Sequence, residues 1–368
     1  MLSSKTMKAI AVFPDKKDVR LIDHPEPKIE SPSQVKLKMI EVGICGTDKE
    51  IVAFQYGTPP AGSDYLVIGH ESLGEVIEVG SAVTGFKPGD IVVPTVRRQC
   101  GHPDCPACAA NRQDFCYTGD FTERGIKQRH GFMTEFIVDE ASYLNLLPPG
   151  LRSVGVLTEP LTIAEKGIAQ VREVQMRLPW SGTHQAVVLG AGPVGLLGAM
   201  ALRVAGFEVW VYSKAAQGDH RQQVTEAIGA KFINADETPI DAIVNELGGT
   251  LDLVYEAIGA SKLAFDFLQV LGPNGVFVFT GVPGRKAPVE VDTDLLMRNL
   301  VLKNQIVFGT VNAPKECFEA AIADLNIFNA RWPDALAMLI TNRIPIDRAL
   351  EPLSGKVGGI KNVVSLSA

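Results

Sequence analysis

Four of the six cysteines, Cys100, Cys105, Cys108 and Cys116, lie in one stretch with the spacing C-x4-C-x2-C-x7-C. Short spacers of this kind let four thiolates converge on a tetrahedral zinc, and a site with all four positions filled by protein is closed and structural. A second set is scattered. Cys45 stands in "GICGTD", His70 and Glu71 in "GHESLGEVIEVG", and Glu159 in "LTEPLTIAEKG". One thiolate, one imidazole and one or two carboxylates can hold zinc and leave a position for water or substrate. Spacing does not assemble this set, because its members are far apart along the chain. Glu71 has an alternative role, orienting the ligand water from behind the metal.

A third motif is "VVLGAGPVG", with Gly190, Gly192 and Gly195 in G-x-G-x-x-G spacing around Pro193 and Val194. The first glycine permits a tight turn, the second admits a pyrophosphate, and the third lets a helix pack close to a sheet. Free N–H groups at that helix start receive the anion. The next strand, "VWVYSKAAQGDHR", ends on Ser213 and Lys214, where NAD binders carry an acid. A hydroxyl and an ammonium suit a 2′-phosphate, so NADP is favoured, while nearby Asp219 keeps NAD open.

These residues need elements to position them. The first half of the chain is strand-rich and punctuated by Pro and Gly: "VKLKMIEVGIC" and "GEVIEVG" contain apolar alternation, and "GFKPGDIVVP" reads as a turn and strand. From about Thr183 the rhythm becomes strand, helix, strand: "HQAVVLG", "GPVGLLGAMALRVAG", "FEVWVYS", and so on to "VFVFTGVPG". That alternation predicts a doubly wound parallel sheet, so the class is α/β. The tail "CFEAAIADLNIFNARWPDALAMLIT" reads as helical, with Cys317 in its core, and the residues before Met7 read as an extension.

The 368 residues exceed one ordinary core. The division expected is a catalytic domain of residues 1–182 and 313–368, carrying a cysteine lobe at 97–118, with a dinucleotide domain at 183–312. A net charge of −7 and no Lys/Arg run exclude nucleic acid as a partner. The apolar segment 186–206 is interrupted by glycines, Pro193 and Arg203, so no membrane span is expected. With no signal-like start and with clustered thiols, a cytoplasmic location is expected.

Taken together and in this order, "GICGTD", "GHESLGEVIEVG", "GFKPGDIV", the cysteine lobe and "GAGPVGLLG" resemble the zinc-dependent medium-chain dehydrogenase/reductase superfamily, the alcohol dehydrogenase relatives. Within it, "GICGTDKEI", "VRRQC", "RQDFCYTGDFTERGI", "HGFM", "EPLTIAEKG" and "FGTVNA" resemble the archaeal and bacterial glucose dehydrogenases. The resemblance implies a GroES-like β-rich catalytic domain and a Rossmann domain. It assigns the catalytic zinc to Cys45, His70 and Glu159, with Glu71 as an alternating or nearby ligand, and a proton relay to Thr47. It assigns sugar contacts to Glu123 and Asn312, together with Thr47 and Glu159 at the reacting end. It lines the cofactor with Thr280, Gly281, Val282, Thr310, Val311, Asn312 and Lys361. The lobe's first spacer is four residues where the family usually has two. The implied activity is NAD(P)-linked oxidation of an aldose, foremost D-glucose to gluconolactone, by a homodimer or homotetramer. Rival readings are a zinc dehydrogenase of polyols, secondary alcohols or threonine, a zinc-free enone or quinone reductase, and a nucleotide-binding protein without catalysis.

Overall fold

The computed structural model describes residues 5–179, 184–284 and 288–366. The chain forms two compact units: Met1–Glu159 with Asn312–Leu325 and Ile340–Ala368, and Pro160–Val311 with Asn326–Leu339. The division expected at 182/183 lies outside the described residues, as does the start of the N-terminal extension. Residues of the helix Thr158–Gln175 from Pro160 onward count with the second unit. The reason is local packing: a Cβ on Gly167 of this helix lies 3.5 Å from both the Tyr255 ring and Val278 of the parallel sheet.

The first unit is built on antiparallel strands. Its main sheet runs Leu144–Leu146, Ile91–Pro94, Glu71–Val79, Gln34–Gly43, Lys361–Ser365, Ile340–Pro345, and Phe136–Glu140 also pairs with Gln34–Gly43. The long strand Gln34–Gly43 is buried at seven of ten positions, and it organises the site. Its end registers Gly43 opposite Glu71 on one side and opposite Val363 on the other. The backbone of Ile44 then donates to the Asn362 carbonyl, which carries the pairing on to the residue before Cys45. Two smaller sheets flank this frame: Asp18–Pro25, Thr6–Phe13 and Leu66–Val67, and Arg97–Arg98, Thr122–Arg124 and Gln128–Arg129.

The second unit has six parallel strands in the order Lys231–Asn234, Glu208–Ser213, Gln185–Leu189, Leu253–Glu256, Val276–Phe279, Ile306–Gly309. Counted within the unit this is 3-2-1-4-5-6, the Rossmann order, whose switch point lies between Gln185–Leu189 and Leu253–Glu256. Strands covered on both faces must be apolar throughout, and "VVL", "LVY" and "VFV" are fully buried. Val187, Trp210, Tyr212, Phe267 and Phe277 share one core.

The stretch read as helical is helix over Lys315–Arg331 and Pro333–Met338, broken at Trp332–Pro333; only its last two residues, Ile340 and Thr341, belong instead to the strand Ile340–Pro345, paired in parallel with Lys361–Ser365. Alternation over "ITNRIP" is too short to outweigh the helical pattern before it. No helix among the described residues is long and apolar enough to cross a membrane.

Candidate active site

Cys45 ends the path of strand Gln34–Gly43 and N-caps the helix Gly46–Val52. Its backbone N–H donates to Asp48 Oδ2 at 2.9 Å, so the turn closes in capping-box fashion. Asp48 is fully buried, accepts the Gly69 N–H through Oδ1 at 3.2 Å, and brings Oδ1 to 3.5 Å from His70 Nδ1. One carboxylate therefore holds the turn of Cys45 and the turn before His70, and faces the imidazole at ion-pair distance without a hydrogen bond to Nδ1. In "GICGTD", Asp48 reads as a turn residue that caps the following helix; its place three residues after Cys45 is the only signal of this wider role.

One ligand atom from each of Cys45, His70 and Glu71 lies within 4.8 Å of the others. Glu159 is not in that group, although its buried carboxyl is in electrostatic reach. Burial pushes it up to about 7, with His70 opposing and Glu71 reinforcing. His70 is lowered by burial, but Asp48 and Cys45 reverse this and leave it well above its ordinary value. Thr47 Oγ1 stands 4.0 Å from Cys45 Sγ. Such a largely buried, electron-rich donor set suits a divalent cation.

Lys361, which the resemblance puts in a stretch lining the cofactor, is engaged within the first unit. It donates to both Glu71 oxygens, at 2.7 and 2.5 Å, and to the Ile44 carbonyl at 3.2 Å, with the pair almost wholly buried. Burial lowers its pKa, and Glu71 and Cys45 more than offset that, leaving it raised. Gly43 makes room for the pair, since a Cβ there would sit 2.2 Å from Glu71 Oε2.

In the lobe, the four sulfurs of Cys100, Cys105, Cys108 and Cys116 lie within 4.8 Å of one another, and Cys105 and Cys116 are 4.0 Å apart. Zinc with bonds of about 2.3 Å sets tetrahedral sulfurs about 3.8 Å apart, so the cluster fits the ion. The longer first spacer does not keep Cys100 out of it. Burial pushes the Cys108 thiol up to about 12, while Thr118 and nearby backbone donors outweigh burial at Cys116 and bring it to about 6. His102 points elsewhere, to Asp120 at 2.7 Å on the surface.

Glu123 and Asn312 come together although they are far apart in sequence: Asn312 Nδ2 donates to Glu123 Oε1 at 3.4 Å. Asn312 holds a left-handed backbone, φ 57°, and its Oδ1 is buried without a partner. Arg97, unmarked in the sequence, donates through Nε to the same Glu123 oxygen at 3.0 Å.

In the second unit, Gly190 has φ 101°, and a Cβ on Gly195 would sit 2.0 Å from its carbonyl oxygen. Gly192 N-caps the helix Pro193–Val204, and a Cβ on it would meet open space. That is a cradle of backbone facing outward from a helix start, the geometry a pyrophosphate requires. Ser213 Oγ accepts the Ala215 N–H, and exposed Lys214 reaches Asp236 at 3.5 Å. Asp219 caps the helix His220–Ala227 by accepting the Arg221 N–H. Thr280 and Gly281 are tied to Glu256, which also accepts the N–H groups of Ile258 and Gly259. Glu256 thus braces two loops at the strand ends; the signal for it was an acid closing the apolar run "LDLVYEAIG". Val282 and Val311 are exposed, and Thr310 Oγ1 is buried without a partner.

Comparison with known proteins agrees with this architecture. Residues 31–149 match the alcohol dehydrogenase GroES-like domain, and residues 152–366 match the glucose dehydrogenase C-terminus family. The glucose 1-dehydrogenase of Methanocella arvoryzae is 41% identical, over 98% of this chain and 100% of that one. That of Thermoproteus tenax is 40% identical over 94% and 95%. Among solved structures, the Haloferax mediterranei glucose dehydrogenase in complex with NADP, Zn and gluconolactone is 33% identical, with TM-score 0.87 over 98% of this chain and 100% of that one. With its two folds in this order and its relatives matched almost end to end, the chain belongs to the zinc-dependent medium-chain dehydrogenase/reductase superfamily, in the glucose 1-dehydrogenase branch.

Proposed function

We propose that the protein oxidises an aldose at C1, with D-glucose as the leading substrate and gluconolactone as product, coupled to NADP or NAD. The observation that carries this reading is the convergence of half-buried Cys45 with buried His70 and Glu71, with Glu159 in electrostatic reach, in a chain that also carries the Gly190–Gly195 turn. Cys45, His70 and Glu159 are the ligands proposed for the catalytic zinc, with Glu71 kept on Lys361 or alternating with Glu159. Cys100, Cys105, Cys108 and Cys116 are proposed for the structural one. When bound, the catalytic zinc supplies Lewis acidity and the dinucleotide supplies the hydride acceptor.

The chain's own residues supply position and proton handling. Asp48 fixes the turn that carries His70 and faces its Nδ1. Thr47 takes the proton from the C1 hydroxyl at Oγ1 and passes it outward. Glu123 and Asn312 hold sugar hydroxyls, which is why Asn312 has an acceptor left over. Gly192 and the following helix start receive the pyrophosphate, and Lys214 with Ser213 receives the 2′-phosphate, favouring NADP. Thr280, Gly281, Val282, Thr310 and Val311 are proposed to line the cofactor. In this reading the first unit is the catalytic domain and the second the dinucleotide domain.

We propose a cytoplasmic homodimer or homotetramer. A reducing compartment suits the free thiols. The helix Thr293–Leu302 leaves Met297, Val301 and Leu302 64–71% exposed beside the edge strand Ile306–Gly309, a surface suited to self-association. Initial rates with glucose, galactose, xylose, polyols, secondary alcohols and threonine, each with NAD and with NADP, test the activity. Turnover of polyols or threonine without any sugar turnover overturns the aldose assignment.

A further inference from the structure

We infer that Arg97 is a positioning residue for the sugar-binding carboxylate, fixing Glu123 against the backbone that leads into the last cysteine of the lobe. The inference rests on the assignment of Glu123 to the sugar. Arg97 lies in the short strand Arg97–Arg98, registered antiparallel against Glu123 in Thr122–Arg124. Its Nε donates to Glu123 Oε1 at 3.0 Å. Its Nη1 donates to the carbonyls of Asp114 at 3.2 Å and Gln113 at 3.4 Å, in the turn just before Cys116. The guanidinium carbon stands 3.6 Å from the centroid of the Phe121 ring. Both side chains of the pair are more than nine-tenths buried.

The planar fork explains the choice of arginine. One face of it stacks on a ring while its edges address a carboxylate and two carbonyls, which a lysine ammonium on a flexible stem cannot do at once. Asn312 approaches the same oxygen, Oε1. With Arg97 and Asn312 both on Oε1, Oε2 is the oxygen turned to a hydroxyl of the ligand. Arg98 next door turns the other way, to Asp139, which also receives Arg124. Arg98 thus serves Asp139 and, through it, the Arg124 end of the strand, while Glu123 Oε1 is held by Arg97 and, at a longer distance, by Asn312.

The test is steady-state kinetics on the zinc-loaded, full-length enzyme, with glucose and NADP varied in turn. Arg97→Met is expected to raise KM for glucose about 10- to 100-fold, the loss of one or two charge-assisted hydrogen bonds in a buried site. KM for NADP is expected to stay within about twofold. Arg97→Lys is expected to recover part of the loss, and it decides the question where the methionine variant does not fold. A residue that only stabilised the fold would lower melting temperature and active fraction and leave both KM values alone; that result overturns the inference. Glu123→Gln separates the two levels. If it leaves glucose KM unchanged, the sugar assignment of Glu123 fails and the role of Arg97 falls with it. If it raises glucose KM while neither Arg97 variant does, the Arg97 inference alone fails. The double variant is expected to be no worse than the poorer single one, since both act through one contact.

Discussion

Replacing Lys361 by methionine removes the only ammonium that reaches the Glu71 carboxylate among the described residues, while keeping the length and apolar bulk of the stem. Both partners are 2% exposed or less, and all the ammonium's contacts go to Glu71 and the Ile44 carbonyl. The carboxylate left behind is cut off from water by the strands Gln34–Gly43 and Lys361–Ser365. Breaking a buried pair from one side costs about 3–5 kcal/mol, because the remaining charge is uncompensated. In a unit of this size each kcal/mol lowers the melting temperature by about 2–4 °C, so a drop of about 6–20 °C is expected. The assay is a thermal melt with the Cys45 site kept free of metal, since a cation there would itself compensate Glu71, followed by the first unit's own transition if the two units melt separately. Adding Glu71→Gln to Lys361→Met removes the stranded charge and is expected to restore more than half of the loss. A single variant melting within about 2 °C of the parent, or a double variant no better than the single, refutes the argument that this pair is held by charge.

Two further outcomes follow from other parts of the first unit. His130 stacks on Tyr65, meets His24 edge-on and accepts the Val67 N–H, and burial, with smaller contributions from His24 and Arg124, brings its pKa from 6.5 to about 4. The unfolded chain therefore binds a proton that the folded one refuses, so stability is intact above pH 6.5 and falls by about 2–3 kcal/mol as pH drops towards 4, the lower figure allowing for partial exposure. Acid melts of His130→Gln should lose that slope; equal slopes in both proteins reject it. Gly131→Ala puts a Cβ 2.4 Å from the Gly69 carbonyl and 2.5 Å from Gly125 Cα, and Gly69 carries His70. An overpacking cost of about 1–3 kcal/mol and a fall of about a hundredfold in kcat are expected, read against zinc content by metal analysis.

Much of the second unit is written locally. Its strands are buried on both faces, so each reads as a short apolar run, and the glycine turn sits where a strand must hand over to a helix. The lobe is local too: four cysteines within one loop can find each other without help from the sheet. The catalytic cluster is different. Cys45, His70 and Glu71 carry recognisable neighbours, but what joins them is strand register, and Lys361 reaches Glu71 only because Lys361–Ser365 pairs beside Gln34–Gly43. No periodicity encodes that adjacency. Arg97 and the wider role of Asp48 escaped notice for the same reason, since a buried charged side chain looks in sequence like any exposed one until its partner is known. The return of the tail to the first unit's sheet was hidden behind the helix that precedes it.

The Glu71–Lys361 pair also bears on how the chain is made. The two residues are 290 positions apart, so on the ribosome the carboxylate emerges long before its counter-ion. Until then the strand Glu71–Val79 can pair with Gln34–Gly43, yet closing that end of the sheet over Glu71 would bury an unanswered charge. The glycine-turn unit lies wholly ahead of Lys361 in the chain, so its strands can leave the ribosome while that end of the first unit's sheet is still open. Glu71 therefore gains its counter-ion only when the strand Lys361–Ser365 docks beside Gln34–Gly43.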